Sequence, residues 1–478
     1  MSKLNRDVLY LIFKELHDIK SLYSCLLVNK TWCEIIIPII WINPWKFLKP
    51  EKKKLFLNVI ISHLSDESRK NLSQDIDFLM NSYQRPLFNY ISFCKYLDFN
   101  HIFDLFTFNN RGFSIEKNKN EIFKLFINEN TKFTYLYFPY YFNYQIHHIP
   151  GAKCCLSEIE FFSCNARIND NVLVGLAEIC KSIKELELTI DKDNKNYGII
   201  RFIEAQKKLY KISIFFGYTQ IFNFDDSFYE NIENSLIKHA NTIQHFKITE
   251  QPMTNFLSFL VNLKTLELSN CSNSAKWNVL ENLFLPYLQI LRTMDIPIRA
   301  LACLIKNSGT YLNEIVINNR CSLKHNDNKM IIQAIYQNCH NLKYLGISFL
   351  NNNILELDNL LINCQYLNGL YFTIVEYKFD WNKMFEILIK SSPVSLFKFK
   401  FKFQFYYMPD DIESFKTFFD NWKDRHPILL YIILDNPNTN TDYFDLLEEY
   451  KTKGIIKKYK HYSDGIFVKY KDYKDFEW

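Results

Sequence analysis

Both kinds of zinc ligand fall within 18 residues at His147, His148, Cys154, Cys155 and Cys164. Structural zinc holds four such ligands in a tetrahedron, and the sequence spacings that deliver them are few. These five residues match none of them, so the sequence assigns no metal here and reads the stretch as a loop. The other catalytic constellations are missing too: there is no Gly-x-x-x-x-Gly-Lys, Gly-x-Gly-x-x-Gly, His-Glu-x-x-His or Gly-x-Ser-x-Gly. Ten glycines supply little material for loops that cradle phosphate. A nucleophilic cysteine needs a partner base and a lowered pKa, and no cysteine sits in a signature that provides them. The expectation is a chain that is not an enzyme, with no cofactor and no catalytic residue.

The elements that would position any binding residues come next. The chain has 478 residues, which at about 150 per domain suggests roughly three domains, or fewer if part of it repeats. Hydrophobic residues make up 48% and charged residues 23%, with only 10 Gly and 13 Pro, which excludes collagen-like and low-complexity classes. No apolar run approaches the length of about 18 residues that a membrane span needs, so no membrane partner is expected. Charges at Lys3, Arg6 and Asp7 occupy the place of a signal peptide's apolar core, and the expected location is cytoplasmic, nuclear or both. Lys and Arg total 57 against 52 Asp and Glu, a net +5 that is far from a nucleic-acid binder's footprint. Twelve cysteines are too sparse for a disulfide scaffold and are read as reduced thiols.

From Leu4 to Leu16 the residues Val8, Leu9, Ile12, Phe13 and Leu16 recur at helical spacing. A second helical stretch carries Ile19, Leu22, Leu26 and Leu27, and a third runs from Trp32 to Ile40 and Trp41. Such a small head struggles to bury enough surface alone and asks for a partner. The order Leu4-Asn5-Arg6-Asp7-Val8-Leu9, Ile12-Phe13, Leu16, Leu22, Leu26, Val28-Asn29-Lys30-Thr31-Trp32 and Ile40-Trp41 resembles an F-box over about the first forty residues. Asn5 stands where that family usually has proline; Asn is a good N-cap, so a helix is still expected to begin there. The resemblance implies docking on the small Skp-type adaptor, and through it on cullin. By position it makes Leu4, Val8, Leu9, Ile12, Leu22, Leu26 and Trp32 adaptor-facing, and the same apolar spacing serves equally for the head's own core.

Residues 46–130 read as helical fragments, with a lysine cluster at Lys46, Lys49, Lys52, Lys53 and Lys54 taken as a solvated helix start. Beyond Phe133 the pattern apolar-x-x-apolar-x-apolar recurs twelve times. It begins at Phe133-Leu136-Phe138 and Leu156-Ile159-Phe161, passes through Ile183-Leu186-Leu188, and ends at Val394-Phe397-Phe399 and Ile428-Tyr431-Ile433, with 20 to 34 residues between starts. Cys180, Cys339 and Cys364 each precede a copy by three residues, as a small interior residue in a packed turn would. This pattern resembles leucine-rich repeats of the cysteine-containing class, which commonly follow an F-box. The expected fold is an α/β solenoid: an all-α head (1–45), a helical linker or cap (46–130), a curved repeat array with parallel strands on its concave face (131–435), and a C-terminal cap with a Lys/Tyr-rich tail (436–478).

Alternation along each strand would aim the third and fifth positions of a copy outward. These are Glu158, Glu160, Glu185 and Glu187 early, His245, Lys247, Glu267, Arg292 and Glu314 in the middle, and Tyr344 and Tyr371 late. The strict alternation of Phe397 to Phe405 puts Lys398, Lys400 and Lys402 on one face, either to bind a ligand or to guard a strand near the sheet's end against edge pairing. Together the two resemblances imply a non-catalytic, substrate-recruiting subunit of a Skp-cullin-F-box ubiquitin ligase, its concave face holding an unknown target protein. The alternatives are a repeat scaffold acting outside ubiquitin ligation and, ranked last, an RNA-binding solenoid.

Overall fold

The structure is a computed structural model that describes residues 4–16, 18–68, 85–107, 115–191, 195–217, 226–270, 277–319, 325–374, 376, 378–403, 412–434 and 441–463. The chain divides into two compact units, Met1–Ser235 and Leu236–Trp478. Among the described residues no helix is long and apolar enough to cross a membrane.

The first unit opens with three short helices, α1 (Arg6–Glu15), α2 (Ile19–Leu26) and α3 (Lys30–Trp41). Each begins on a side chain that accepts orphan backbone N–H groups: Asn5 caps Asp7, Asp18 caps Lys20 and Ser21, and Asn29 caps Trp32. Asn5 thus does the capping expected of it. Leu9, Phe13, Leu22, Ile35 and Ile36 form the head's core, with Leu16, Leu26 and Trp32 packed against it. Arg6 on α1 pairs with Glu34 on α3 at 3.2 Å.

The segment after α3 holds this head in place. Trp41 stacks on Phe56 of α4 (Lys53–Ile61) at 5.2 Å, and Lys53, at the start of that helix, pairs with Asp104. The indole of Trp45 donates to the Tyr96 carbonyl at 2.9 Å, and the Lys95 N–H donates to the Ile42 carbonyl, also at 2.9 Å. The head is therefore hydrogen-bonded to the residues that open the first strand.

Strands β1 (Tyr96–Asp98), β2 (Tyr135–Tyr137), β3 (Phe161–Asn165), β4 (Glu185–Ile190) and β5 (Lys211–Phe216) pair parallel in strict chain order. Leu97, Leu136, Phe162, Leu186 and Ile212 fall in one register row and all are buried. They face return helices, as in the contact of Phe162 with Phe202 at 4.3 Å.

The second unit repeats this scheme with β6 (His245–Ile248), β7 (Thr265–Ser269), β8 (Ile290–Met294), β9 (Glu314–Asn318), β10 (Tyr344–Phe349), β11 (Gly369–Ile374), β12 (Lys398–Phe403), β13 (Ile428–Leu434) and β14 (Ile456–Ser463). They too pair parallel and in order, a solenoid-like succession of strand and return. Among the described residues the returns after β6 and β7 are 3₁₀ turns, Phe256–Phe259 and Asn278–Leu280. Copy length does not by itself decide this: the copy from Leu288 to Leu312 is no longer than that from Leu263 to Leu288, yet it holds the helix Ile298–Ser308.

Two strands lie outside residues 131–435. The first, β1, falls within residues 46–130, where Cys94-Leu97-Phe99 repeats the apolar pattern with cysteine in its first slot; all three are buried. The last, β14, falls within residues 436–478 and pairs along β13.

Three copies are framed differently from the sequence reading. In β3 the inward residues are Phe162 and Cys164, so Phe161 and Ser163 face outward and Glu158 and Glu160 precede the strand. In β12 the inward residues are Phe399 and Phe401, after Leu396, and Val394 is exposed. In β13 they are Leu430 and Ile432, so Tyr431 faces outward.

The cysteine positions have a stacking role. The Cys180 thiol donates to the Leu156 carbonyl of the preceding repeat at 3.3 Å, and Cys364 donates to the Cys339 carbonyl at 3.6 Å. Gln206 fills the same role after Cys180, donating to its carbonyl at 2.9 Å. Helix ends leave carbonyls without intrahelical partners, and this column supplies them from the next repeat.

Candidate docking surfaces

The apolar arc of α1 is too wide for the head to bury. Leu9 and Phe13 turn into the core, at 6% and 2% exposure. Val8, Leu11 and Ile12 lie at i, i+3 and i+4 on the adjacent stripe, Leu4 precedes the N-cap, and all four are exposed, Leu11 by 61%. Tyr23 on α2, Leu27 at its C-cap and Val28 are exposed apolar residues of the same head, Leu27 by 88%. Of the residues that resemblance made adaptor-facing, then, Leu4, Val8 and Ile12 are on the surface. Leu9 and Leu22 are core residues of the head. Leu26 and Trp32 are half-buried, with Trp32 edge-on to Phe13 at 4.9 Å. Sequence reasoning passed over Leu11 and Tyr23 and left Leu27 and Val28 out of the adaptor-facing set; a helical projection of residues 6–15 shows the second stripe on α1.

On the sheet face opposite the helices, the first unit carries an aromatic cluster. Tyr96 and Tyr135, adjacent in register, stack at 4.0 Å with their planes 2° apart, and Phe161 lies 4.9 Å from Tyr137. Burial, with Glu187 nearby, pushes the Tyr137 hydroxyl up to about 12. The next strand presents Glu185 and Glu187: Glu185 pairs with Lys211 at 3.1 Å, and Glu187 accepts from Ser163 at 3.1 Å. Glu158 and Glu160 are not on this face. They pair with Lys132 and Lys184, both at 2.6 Å, in the connections that lead into strands. The ladder therefore opens aromatic, where the sequence reading had it open acidic.

In the second unit the middle of the face neutralises itself. Lys247, Glu267, Arg292 and Glu314 occupy successive strands and form a continuous ion-pair chain at 3.1, 3.1 and 2.7 Å. All four are at least four-fifths buried, a setting in which hydrogen-bonded geometry decides whether charges stabilise.

Beyond it the chemistry changes. Gly369 lies beside Tyr344 in register, and Gly346 beside Tyr371. A Cβ on either glycine would come within 3.0 Å of the neighbouring ring, so the missing side chains let both rings lie down against the sheet. Lysines then cover the rings. The Lys398 ammonium sits 5.1 Å above Tyr344 and donates to its hydroxyl at 3.3 Å, Lys400 sits 4.7 Å above Tyr371, and Lys460 sits 5.9 Å from Tyr431. Strand β12 pairs on both sides, with β11 and β13, so guarding an edge does not account for Lys398, Lys400 and Lys402.

The histidine-cysteine set is dispersed among structural duties. Cys155 is buried against the Phe126 carbonyl, Cys164 faces the core from β3, and the His147 ring packs against Gly175, where a side chain would collide with it. Among the described residues no three His, Cys, Asp or Glu side chains converge to hold a metal. No family model matches the chain, and no curated protein matches it.

Proposed function

We propose that the chain is a non-catalytic, substrate-recruiting subunit of a Skp-cullin-F-box ubiquitin ligase. The head docks on the Skp-type adaptor and so on cullin, and the strand face of the repeats holds a target protein. Catalysis by such a subunit is proximity: a held target presents its lysines to a separately bound conjugating enzyme at high effective concentration.

The observation that carries this reading is the outward stripe Val8, Leu11 and Ile12 of α1, with Leu4, Tyr23, Leu27 and Val28 exposed on the same small head. So many exposed apolar side chains on so small a head cost solubility unless a partner covers them. A helix presenting residues at i, i+3 and i+4 is the form in which helices enter apolar grooves. The hydrogen bonds of Trp45 and Lys95 to the head's end and the first strand support it, because a recruiting subunit must hold its docking end stiffly against its repeats.

The test is co-purification of the full chain with a Skp-type adaptor. Val8→Asp with Leu27→Asp should abolish capture and leave the melting temperature nearly unchanged, since both side chains are already in solvent. Capture that persists in this variant would sink the docking reading and leave an interaction scaffold acting outside ubiquitin ligation.

A further inference from the structure

We propose that the outward face of β10 to β14 binds an extended acidic segment, rich in Asp and Glu, of the target protein. The inference rests on the recruiting reading and adds to it the chemistry of what is recruited.

Charge points this way first. The outward register positions on these five strands are Tyr344, Gly346 and Ser348; Gly369, Tyr371 and Thr373; Lys398, Lys400 and Lys402; Leu429, Tyr431 and Ile433; and Lys458 and Lys460. Five are lysines and none is acidic, whereas the ion-pair chain on β6 to β9 alternates sign. Among the described outward positions the two halves therefore differ in charge, and the positive one is the later half, which favours anions.

Spacing points the same way. Lysines at alternate positions of one strand are about 6.6 Å apart and span about 13 Å, and β14 adds a second row about 10 Å away. Lys400 is buried, at 6% exposure, so Lys398 and Lys402 present their ammonium groups at the longer interval, which an extended peptide matches with carboxylates four residues apart. Phosphate recognition favours converging donors and the planar fork of arginine, and these positions hold neither.

The aromatic residues decide between protein and nucleic acid. Single-stranded RNA is held by bases stacking on open rings. Here Tyr371 is only 9% exposed, and Lys400 and Lys398 occupy the faces of Tyr371 and Tyr344. The rings act as a floor that fixes the lysines, not as a platform for bases.

The experiment measures fluorescence anisotropy of the full chain with a labelled peptide of alternating Glu and Ser, and with a labelled oligouridylate. The wild type should bind the peptide with an affinity that falls as salt rises. Lys398→Glu, Lys402→Glu and Lys460→Glu together should weaken it by roughly tenfold or more. Lys458→Glu with Lys460→Glu, both on the exposed outer strand, should also weaken it if the triple variant does not fold. Lys383→Glu, on a return helix, should leave it unchanged. Absence of peptide binding by the wild type, or binding indifferent to these reversals, would overturn the proposal. Oligouridylate that binds more tightly through the same lysines would overturn it in favour of RNA. Adaptor capture, measured on the same proteins, separates the two readings: lost peptide binding with retained capture concerns this face alone.

Discussion

Single side chains in this molecule are committed to holding repeats together, and their chemistry follows from that. Burial pushes the Cys155 thiol up to about 11 and the Cys364 thiol up to about 12, which removes the thiolate that alkylation requires. Iodoacetamide should label exposed Cys154 in the native protein while Cys155, Cys180, Cys339 and Cys364 react only after denaturation. Peptide mass spectrometry reads this directly, and equal labelling of Cys364 and Cys154 at neutral pH would contradict the carbonyl column. Arg292 bridges Glu267 and Glu314 in a half-dry setting. Arg292→Ala leaves two carboxylates facing each other and should cost about 3 kcal/mol in denaturant melts, whereas truncating exposed Arg299 should cost little. His101 donates to Asp98 at 2.7 Å, and that hydrogen bond raises its pKa above the ordinary histidine value. Its stabilisation is complete below about pH 6.5 and disappears as pH rises through the raised folded value. Partial exposure limits it to under about 1 kcal/mol, so His101→Gln should flatten the stability profile across that window and change nothing at high pH.

At the scale of the element, α1 shows why a periodic pattern predicts a helix more readily than its environment. Its apolar arc spans more than half the circumference, so burying Leu9 and Phe13 leaves Val8 and Ile12 outside. Leu9→Asp should therefore unfold the head, whereas Val8→Asp should spare it; circular dichroism of the two variants distinguishes core from surface. Trp32→Ala removes the edge contact with Phe13, and because Trp32 is half-buried the loss should be about 2 kcal/mol, less than a full core truncation. The three helices and most repeats were legible because each keeps one period, 3.6 or 2, long enough to count. The frame of β12 slipped by two residues within one parity; the other two were lost where both parities are apolar. Phe161 and Phe162, or Leu429, Leu430, Tyr431, Ile432 and Ile433, offer two alternations one residue apart, and only the packing of the return helix chooses between them. The strand β1 escaped notice because three residues, two of them Tyr and Asp, carry almost no periodic signal. The covering of Tyr344 and Tyr371 by lysines was illegible for another reason: it joins residues of different repeats, and register supplies it only once strands are paired.

At the scale of the whole chain, the order of strands governs where unpaired edges occur. In each unit every strand pairs with its nearest neighbours in sequence, so contacts are local and folding is expected to propagate along the array. Strand β13 reads Ile428-Leu429-Leu430-Tyr431-Ile432-Ile433-Leu434, a run with no charge. Its far side is covered by β14, with Lys457, Lys458 and Lys460 exposed. The edge-guarding duty considered for the β12 lysines belongs here. Ending the chain at Lys453 should raise light scattering at micromolar concentration above that of the full chain, and restoring β14 without its lysines should reverse only part of the rise. During synthesis on the ribosome, each strand from β2 on has one edge unpaired until the next twenty to thirty-four residues have been added. A stall or premature stop after β13 thus releases an uncharged, adhesive edge, which β14 otherwise keeps out of reach of other chains.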